Sequence, residues 1–402
     1  MATPYAPSRR TLLAAGAAGA ATLALPARSG PTAEIVVGQT MPYSGPASSY
    51  SVIGRAEAAY FHKVNDDGGV GGRKLRLLSL DDAYSPPKTV EQTRRLVERE
   101  QVAAIFGTFG TPTNAVIRKY LNAQKVPHLF PTGGADQWND PKGSPWTFGW
   151  QPNYNTEMRI YAEFVLAERP QGRIGILYQN DDVGKDNLRG LREGLGAAAG
   201  KMIVKEVSYE TTDATVDSQV ISLREAGVDV FFNAAAGKFA AQAIRKAADL
   251  RWKPLQILSN YSSSVAAVLT PGGLDNAKDI VSTQFQKDPN DPRWHKDPGY
   301  LAWLEWMNRY LPDGDKTDIF NVYGYLSAQT LVEVLKRCGS DFSREAIRQA
   351  AETLRGIELP MLMPGITLNT SPTQHLPIRQ LYLIRFDGRS WQSFGSVKGG
   401  SA

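Results

Sequence analysis

The stretch "VAAIFGTFGTPTNAVIRKYLNAQKVPHLFPTGG", residues 102–134, decides the fold. An apolar run at 102–107 is followed by a helix pattern at 112–124, and a second apolar run occupies 126–132. Short apolar runs that alternate with amphipathic helices are typical of parallel strands joined by helical crossovers. These runs are continuously apolar, as expected of strands that helices cover on both faces. Both runs lead into loops rich in threonine and glycine, and these two polar loops should meet at one edge of a parallel sheet.

The same alternation extends over most of the chain. We predict further strands at 34–40, 74–82, 173–179, 201–209, 228–237 and 254–260. We predict further helices at 48–64, 86–100, 215–226, 238–250, 299–311 and 319–337, and two more that begin near Val183 and Ser343. The tail at 379–395 reads as a β-hairpin around Asp387–Gly388.

Two proline-rich stretches interrupt the pattern, at 136–156 and at 283–298. The first suits a linker between lobes, because the β-α-β pattern restarts after it. The chain is therefore expected to be α/β, with two doubly wound, flavodoxin-like lobes that form a bilobal clamshell.

The N-terminus has the order of an export signal. Arg9 and Arg10 precede an apolar stretch at 12–25, and small residues surround Ala27. We assign residues 1–30 to a signal peptide that resembles the twin-arginine type, with Sec export left open. The apolar stretch is too short for a permanent membrane span, and no cysteine follows it to carry a lipid anchor. We expect a soluble periplasmic protein that is not lipid-anchored.

Composition excludes several classes of function. The net charge is +5, and three arginines among the first thirty residues account for +3 of it, which is too little for nucleic-acid binding. Cys338 is the single cysteine, so no disulfide framework or cysteine-based metal site can form. The four histidines lack metal-ligand spacing, and no catalytic or nucleotide-binding motif is present. We expect no enzyme activity, cofactor, metal or nucleic-acid partner.

The two threonine- and glycine-rich loops are candidates for an anion site. Thr111 is placed as the N-cap and Pro112 as the first residue of the next helix, which leaves the amides of Thr113 and Asn114 free toward the cleft. Free amides and the helix dipole favour a carboxylate there. The segment 131–134 repeats the arrangement, with Thr132, Gly133 and Gly134. The alternative is that these residues only cap a helix and form turns.

Two further loops follow strands and could face the same cleft. After the first strand, Tyr43, Ser44 and Tyr50 could form a pocket wall, or only a turn and a cap. After the first strand of the second lobe, the acids of 179–186, Asp182 among them, could meet a polar ligand, although acids at a helix start also stabilise the helix dipole.

The segment "IVVGQTMPYSGPASSYSVIGRAEAAYFHKVNDDGGVGGRKLRLLSLDD", residues 35–82, carries a family resemblance. Its "SGP" loop, the helix that ends in "NDDGGVGG" and the strand that ends in Asp resemble the type I periplasmic binding proteins of branched-chain amino acid ABC transporters. The motifs "PWTFGWQP", "ILYQNDDVGKD" and "KDPNDPRW" are similar to one subgroup of that family. The resemblance covers roughly 33–396.

The resemblance implies two lobes joined by three crossovers. It places the N-terminal lobe at 33–150 plus 286–362 and the C-terminal lobe at 151–285 plus 363–398. It also implies that ligand closes the lobes and that the closed form, expected to be a monomer, docks on inner-membrane ABC permease subunits. The carboxylate of the ligand would be held by hydroxyls and amides of the two loops, which correspond here to Thr111, Thr113, Thr132 and Gly134.

The sequence departs from the amino-acid binders where a ligand ammonium would sit. Val183 stands where leucine-type proteins have an aromatic residue, and the loop with Lys238 and Phe239 lacks the acid that would pair with an ammonium. A buried unpaired ammonium costs several kcal/mol by rough estimate. We therefore expect an aromatic or aliphatic organic acid, with aromatic residues as the wall and Lys238 near a second anionic group. The wall candidates are Tyr43, Tyr50, Phe109, Trp150 and Phe239.

Two alternatives stay open from the sequence. One is a branched-chain amino acid, or a related amino acid or amide, as the ligand. The other is a component that presents its ligand to a sensor rather than to a transporter.

Overall fold

The computed structural model describes residues 1–2 and 34–399. The predicted signal peptide at 1–30 lies outside the described residues, apart from its first two. None of the helices in the described part is long and apolar enough to cross a membrane.

The first sheet has five parallel strands in the order β2-β1-β3-β4-β5. The strands are β1 Ile35–Met41, β2 Leu75–Asp81, β3 Ala104–Phe106, β4 His128–Leu129 and β5 Thr147–Phe148. The helices between them are α1 Ser51–Asp66, α2 Pro86–Arg94 and α3 Thr111–Ala123. This is the predicted β-α-β pattern.

The second sheet has seven strands in the order β12-β11-β10-β9-β8-β6-β7. The strands are β6 Ile174–Gln179, β7 Ile203–Tyr209, β8 Val230–Ala234, β9 Leu255–Leu258, β10 Val281–Gln284, β11 Gln380–Phe386 and β12 Trp391–Gly399. The helices before β10 are α4 Tyr154–Glu168, α5 Asp182–Leu195, α6 Ala199–Met202, α7 Asp217–Glu225, α8 Lys238–Asp249 and α9 Thr270–Gly272. The strands from β6 to β10 pair in parallel, and the β11–β12 hairpin joins them antiparallel.

Three helices return the chain to the first sheet: α10 Pro298–Tyr310, α11 Ile319–Arg337 and α12 Arg344–Ala351. α11 packs closely on α1, because a Cβ at Gly324 would lie only 2.5 Å from the Ile53 carbonyl oxygen. The chain thus passes between the sheets three times: after β5, after β10 and before β11. The predicted fold class, with two doubly wound lobes and three crossovers, is confirmed, while the lobe boundaries stay a prediction.

Apolar side chains cover both faces of the first sheet. Leu96, Ile105 and Ile117 belong to a small cluster on one side, while Phe61 and Phe106 belong to the main core. This double covering explains why the strands of the sequence read as continuous apolar runs.

The two proline-rich stretches contain strands that the sequence pattern did not predict. The proposed linker at 136–156 holds β5 and the start of α4, and β10 lies at the edge of the stretch at 283–298. β5 has two residues, which is too short to show any periodicity. It forms because its neighbour β4 offers a parallel edge, with Leu129 opposite Phe148.

Candidate functional site

A cleft lies at the carboxyl ends of the strands, lined by loops from both sheets. Its empty volume is about 910 Å³, including the part open to solvent. Loops at such strand ends are the usual ligand site of open α/β sheets. Among the described residues, the lining comprises Pro46, Ala47, Tyr50, Ile53, Tyr84, Phe109, Gly110, Thr111, Thr132, Gly133, Gln151, Tyr154, Gln179, Val183, Thr211, Ala236, Gly237, Phe239, Asn260, Tyr261, Ser263, Gln286, Ile319, Phe320 and Tyr323.

The loops of the two sheets touch across this cleft. The Tyr50 hydroxyl donates to the Tyr261 carbonyl oxygen at 3.0 Å and accepts from the Gly237 amide at 3.0 Å. Burial raises the pKa of Tyr50 to about 12, so its hydroxyl keeps the proton that it donates. Outside the cleft, Arg189 on α5 forms an ion pair with Asp136, which lies between β4 and β5 of the first sheet. The structure is therefore a closed arrangement of the clamshell.

The loop after β3 differs from its prediction at the helix start. Gly110, at φ 94°, is the N-cap, and Thr111 is the first helical residue. The Asn114 amide donates to the Gly110 carbonyl at 3.2 Å, so it is not free as expected. The helix begins at Thr111 because Gly110 has a positive φ, which lies outside the helical region. Only glycine fits at position 110, because a Cβ there would overlap the ring of Tyr84. Within 34–399, the amides of Thr111 and Thr113 have no acceptor.

The Thr113 hydroxyl points into the protein rather than into the cleft. It donates to the Gly110 carbonyl at 2.9 Å and also contacts the Phe109 carbonyl. Thr113 is outside the lining, and its predicted contact with ligand through the hydroxyl is wrong because the loop itself uses that group.

The loop after β4 pairs with the loop after β3. The Thr132 amide donates to the Thr108 carbonyl and the Gly110 amide to the Thr132 carbonyl, both at 2.8 Å. The Thr132 hydroxyl donates to the Gly107 carbonyl at 3.2 Å, so it fixes the loop although Thr132 lines the cleft. The two predicted loops thus form one ledge.

Several hydrogen-bonding groups converge at Gly133. A Cβ on Gly133 would lie 3.2 Å from Thr111 Oγ1, 3.4 Å from the Tyr154 hydroxyl and 3.6 Å from the Thr111 amide nitrogen. Gly133 lines the cleft, and its amide has no acceptor among the described residues. Burial raises the pKa of Tyr154, while the Thr111 hydroxyl and the Gly134 amide that face its oxygen lower it. We call Thr111, Gly133, Gly134 and Tyr154 the anion cradle, since their N–H and O–H groups sit beside a helix N-terminus.

Gly134 has a structural reason of its own. Its carbonyl accepts from the Tyr154 amide at 2.7 Å, and a Cβ there would meet the Tyr154 ring at 2.9 Å. Gly134 does not line the cleft itself; within the cradle it fixes the position of Tyr154.

A buried polar pair supports the cradle from behind. Asn114 Nδ2 donates to the carbonyls of Thr108 and Gly110 at 2.7 and 2.6 Å. Asn114 Oδ1 must then accept, so His128 Nε2, 2.7 Å away, carries the proton. Burial lowers the pKa of His128 to about 3, which keeps the ring neutral. His128 is therefore a core residue that orients the loop through Asn114.

Aromatic rings form most of the apolar wall. Tyr50 packs against Phe109 and Phe320, with ring centroids 4.7 and 4.9 Å apart, and Tyr154 meets Tyr261 edge-on at 5.4 Å. Seven of the residues predicted from sequence line the cleft: Tyr50, Phe109, Thr111, Thr132, Gly133, Val183 and Phe239. Trp150 does not, because its indole nitrogen donates to Thr330 and its ring packs on Tyr323 and Phe285.

Besides Thr113, Gly134 and Trp150, four more predicted residues lie outside the lining. The Tyr43 hydroxyl turns back to Ser79 Oγ at 2.7 Å, and Ser44 is exposed and bonded to Asp81. Both are drawn away because β2 runs beside β1 and ends at Asp81, opposite Met41. Asp182 lies on the surface near Lys185 at 3.5 Å, and Lys238 is exposed and rests over the Phe239 ring.

The sequence did not identify several lining residues. Tyr84 and Tyr261 follow predicted strands directly, so the strand-end rule could have found them. Gln151, Gln286 and Tyr323 lie on the passages between the sheets or on α11, and no local pattern places them at the cleft.

The lining has no charged side chain among the described residues. Buried acids outside the lining are hydrogen-bonded to protein groups, among them Asp318, which directly precedes the lining residue Ile319 and accepts from Ser264 and the Phe320 amide. Glu57 binds Gln39 and Ser327, and burial raises its pKa to about 8; Glu157 binds Tyr161 and the Asn260 amide, and burial raises its pKa to about 7. No group of residues in the described part could hold a metal ion. The arrangement can bind and enclose a ligand, and it contains no paired nucleophile and base.

Known proteins share this fold. Leu/Ile/Val-binding protein homolog 1 of Brucella abortus is 22% identical over 329 residues, which is 80% of this chain and 83% of the relative. A branched chain amino acid ABC transporter structure from Thermus thermophilus with bound valine is 17% identical with a TM-score of 0.83, and the match covers 92% of this chain and 98% of that one. An ABC transporter solute binding protein from R. palustris in complex with benzoate is 18% identical with a TM-score of 0.76, and the match covers 90% and 96%.

The family model described as periplasmic binding protein matches residues 34–390, almost the whole described chain. This confirms the resemblance found from the sequence and the expectation of a binding protein rather than an enzyme. The chain belongs to the periplasmic binding protein family.

Proposed function

We propose that this protein is exported to the periplasm, captures a small solute that bears a carboxylate and delivers it to the permease subunits of an ABC importer. The proposed ligand is an aromatic or aliphatic organic acid. The observation that carries this proposal is an anion cradle set in a wall that is aromatic and has no charged side chain among its described residues.

The cradle suits a carboxylate for a physical reason. Thr111 and Gly133 offer amides without an acceptor within the described residues, and the helix dipole of α3 adds partial positive charge. Hydrogen bonds to a charged acceptor are stronger than neutral ones, so a single anionic group would gain most from this position.

The rest of the wall argues against an α-amino acid. An enclosed ammonium needs an opposite charge or several strong acceptors, and the described lining offers no carboxylate. Eight aromatic residues line the cleft and suit a planar or hydrocarbon body instead. The carboxylate is common to valine and benzoate, the ligands of the two solved relatives, and the apolar wall favours the second chemistry.

The proposed mechanism is closure around the ligand. The acid binds the cradle in the open form, and the second half then closes over it through the contacts of Tyr50 with Gly237 and Tyr261. Contacts made only in the closed state shift the population toward it. The closed monomer, with lobes at 33–150 plus 286–362 and 151–285 plus 363–398, is what the permease would recognise.

A thermal-shift and calorimetry screen of the purified protein tests the proposal. Benzoate, hydroxybenzoates, phenylacetate and straight-chain acids of four to eight carbons (roughly the span of a pocket of this class) are compared with leucine, isoleucine and valine. Binding of an acid raises the melting temperature, and at a fixed acid concentration the rise grows with the logarithm of the affinity. A response to the amino acids without a response to any of the acids would contradict the proposed ligand class.

A branched-chain amino acid or a related amide is the second candidate. The observation in its favour is the similarity to Leu/Ile/Val-binding protein homolog 1 of Brucella abortus, which extends over 80% of this chain. In that case several neutral acceptors, such as the amides of Gln151 and Asn260, would have to receive the ammonium or amide protons.

A further inference from the structure

One lining residue has a hydrogen-bonding group that the protein does not use. Gln286 is 5% exposed and lies on the passage between β10 and α10. Its Oε1 is closed off from solvent and has no hydrogen-bond partner. Among the described residues that line the cleft, no other polar side-chain atom combines these two properties. Buried polar atoms without a partner are rare in native proteins and call for a physical explanation.

The backbone holds this side chain in place. The residues on either side are hydrogen-bonded to the segment 361–363, which precedes β11 in the chain: the Met363 amide donates to the Phe285 carbonyl at 2.9 Å, and the Lys287 amide to the Met361 carbonyl at 2.8 Å. Gln286 itself pairs with Leu362 in an isolated bridge. The backbone that carries this lining residue is therefore fixed on both sides of it.

The orientation of the amide group also follows from its surroundings. Gln286 Nε2 donates to the Ile319 carbonyl oxygen at 3.4 Å, at the start of α11. A flipped amide would bring two acceptor oxygens together, which is unfavourable. Gln286 Oε1 is therefore the atom without a hydrogen-bond partner, and a donor group would satisfy it.

Two kinds of donor can be compared. An ammonium would bring a full positive charge to a wall whose described residues carry no negative charge, so desolvation would oppose it. A hydroxyl or an amide N–H brings no net charge and satisfies the oxygen. In this closed arrangement Gln286 Oε1 is closed off from solvent, so a hydrogen-bond donor on the ligand has to reach it before the cleft closes.

We infer that Gln286 is a specificity-determining residue that accepts a hydrogen bond from a neutral donor, a hydroxyl or an amide N–H, on the ligand at a distance from its carboxylate. This inference rests on the proposed function and narrows its ligand class from organic acids to hydroxy acids or amide-bearing acids. A site that offers a buried acceptor discriminates strongly against an analogue without the donor, since the acceptor then stays unpaired.

Calorimetric titration with matched acids tests this inference. The probes are benzoate, its three hydroxy isomers and the corresponding methoxy acids, together with hexanoate and 6-hydroxyhexanoate and with hippurate as an amide-bearing acid. The wild-type protein should bind at least one hydroxy or amide acid about tenfold or more tightly than its partner without the donor. The methoxy acids, which keep the oxygen but lack the proton, should not show this gain.

Two variants assign the effect to its residue. Gln286→Met keeps the length of the side chain and removes the acceptor, so the ratio of the affinities for the donor-bearing acid and for its partner without the donor should fall to about twofold or less. Gln284→Met is the matched control: Gln284 also has a buried unpaired amide atom, but it lies two residues away and outside the lining. It should leave the preference intact.

The outcomes separate the two proposals. If acids bind but wild type and Gln286→Met show equal preferences, or wild type shows none, this inference is overturned and the proposed function stands. If none of the acids binds, the proposed function fails and this inference fails with it.

Discussion

The two sides of the cleft use the same architecture for different purposes. On the side of the first sheet, the loop amides of Thr111 and Gly133 have no acceptor in the described part of the chain. On the side of the second sheet, the amides of Ala236 and Gly237 follow β8 in the same way, but tyrosine hydroxyls at 2.9 and 3.0 Å already occupy them. On the first side, the amide donors are free to bind a ligand. On the second side, the corresponding amides already donate to tyrosine hydroxyls of the protein.

This difference gives each side a separate part in binding. The first side should recognise the ligand, because its donors become satisfied only when a carboxylate arrives. The second side should determine how long the ligand stays, because one of its two capping hydroxyls, that of Tyr50, comes from the opposite half and forms its bonds only on closure.

The largest expected effect concerns the recognising side. Thr111→Val keeps the shape of the side chain and removes the hydroxyl from the cradle, so affinity for the bound acid should fall by about 1.5–3 kcal/mol. Calorimetry with the tightest acid of the screen measures the loss. Thr113→Val is the control, because its hydroxyl serves the loop; it should alter the melting temperature more than the affinity. Equal losses of affinity in both variants would contradict the assignment of Thr111 to the cradle.

A smaller effect is expected on the closing side. Tyr50→Phe removes the hydroxyl that joins Gly237 and Tyr261 and should cost about 1–2 kcal/mol of affinity. The cradle is untouched, so stopped-flow measurements should show a faster dissociation rate and a nearly unchanged association rate. Tyr43→Phe serves as the comparison, because its hydroxyl bonds to Ser79 within the first half. A slower association rate for Tyr50→Phe would mean that the two sides do not divide the work in this way.

The smallest effect concerns the acids behind the two sides. Burial raises the pKa of Glu57 to about 8 and that of Glu157 to about 7, so the folded protein holds these protons more tightly than the unfolded chain. The resulting stability is fully present below about pH 4.5 and is lost as the pH rises through these values. The melting temperature should therefore fall between pH 5 and pH 8, where the scan is made.

A variant tests which side carries this dependence. Glu57→Gln should flatten the upper part of the pH profile and leave the part that stems from Glu157. A profile identical to that of wild type would show that Glu57 is ionised in the folded protein at neutral pH.

Long periodic segments of the fold were predictable from sequence with their bounds, whereas short strands were predicted only in part: β4 lies within the predicted strand at 126–132, and β5 was not predicted. The helix at 319–337 was predicted with the bounds that the structure has, because nineteen residues show a full apolar pattern. β4 and β5 have two residues each, and their existence depends on pairing with a neighbour rather than on periodicity.

The site was predictable where strand ends determine it. Phe109, Thr111 and Gly133 follow apolar runs, so the strand-end rule placed them at the cleft. The N-cap was wrong because Gly110 has a positive φ, outside the helical region, and the sequence pattern does not show this. Tyr43 and Tyr50 belong to one predicted loop, yet hydrogen bonds to different partners send one to β2 and the other across the cleft.

The hydroxyl of Tyr50 has a consequence for energy use by the proposed importer. Its bonds to Gly237 and Tyr261 involve protein atoms alone, so part of the drive toward shutting is the same with and without cargo. We therefore expect the protein to populate a closed conformation without ligand. A membrane complex that recognised only the outer surface of the closed form would then hydrolyse ATP without transport, so efficient uptake requires that the complex also distinguishes the ligand-bound closed form from the empty one.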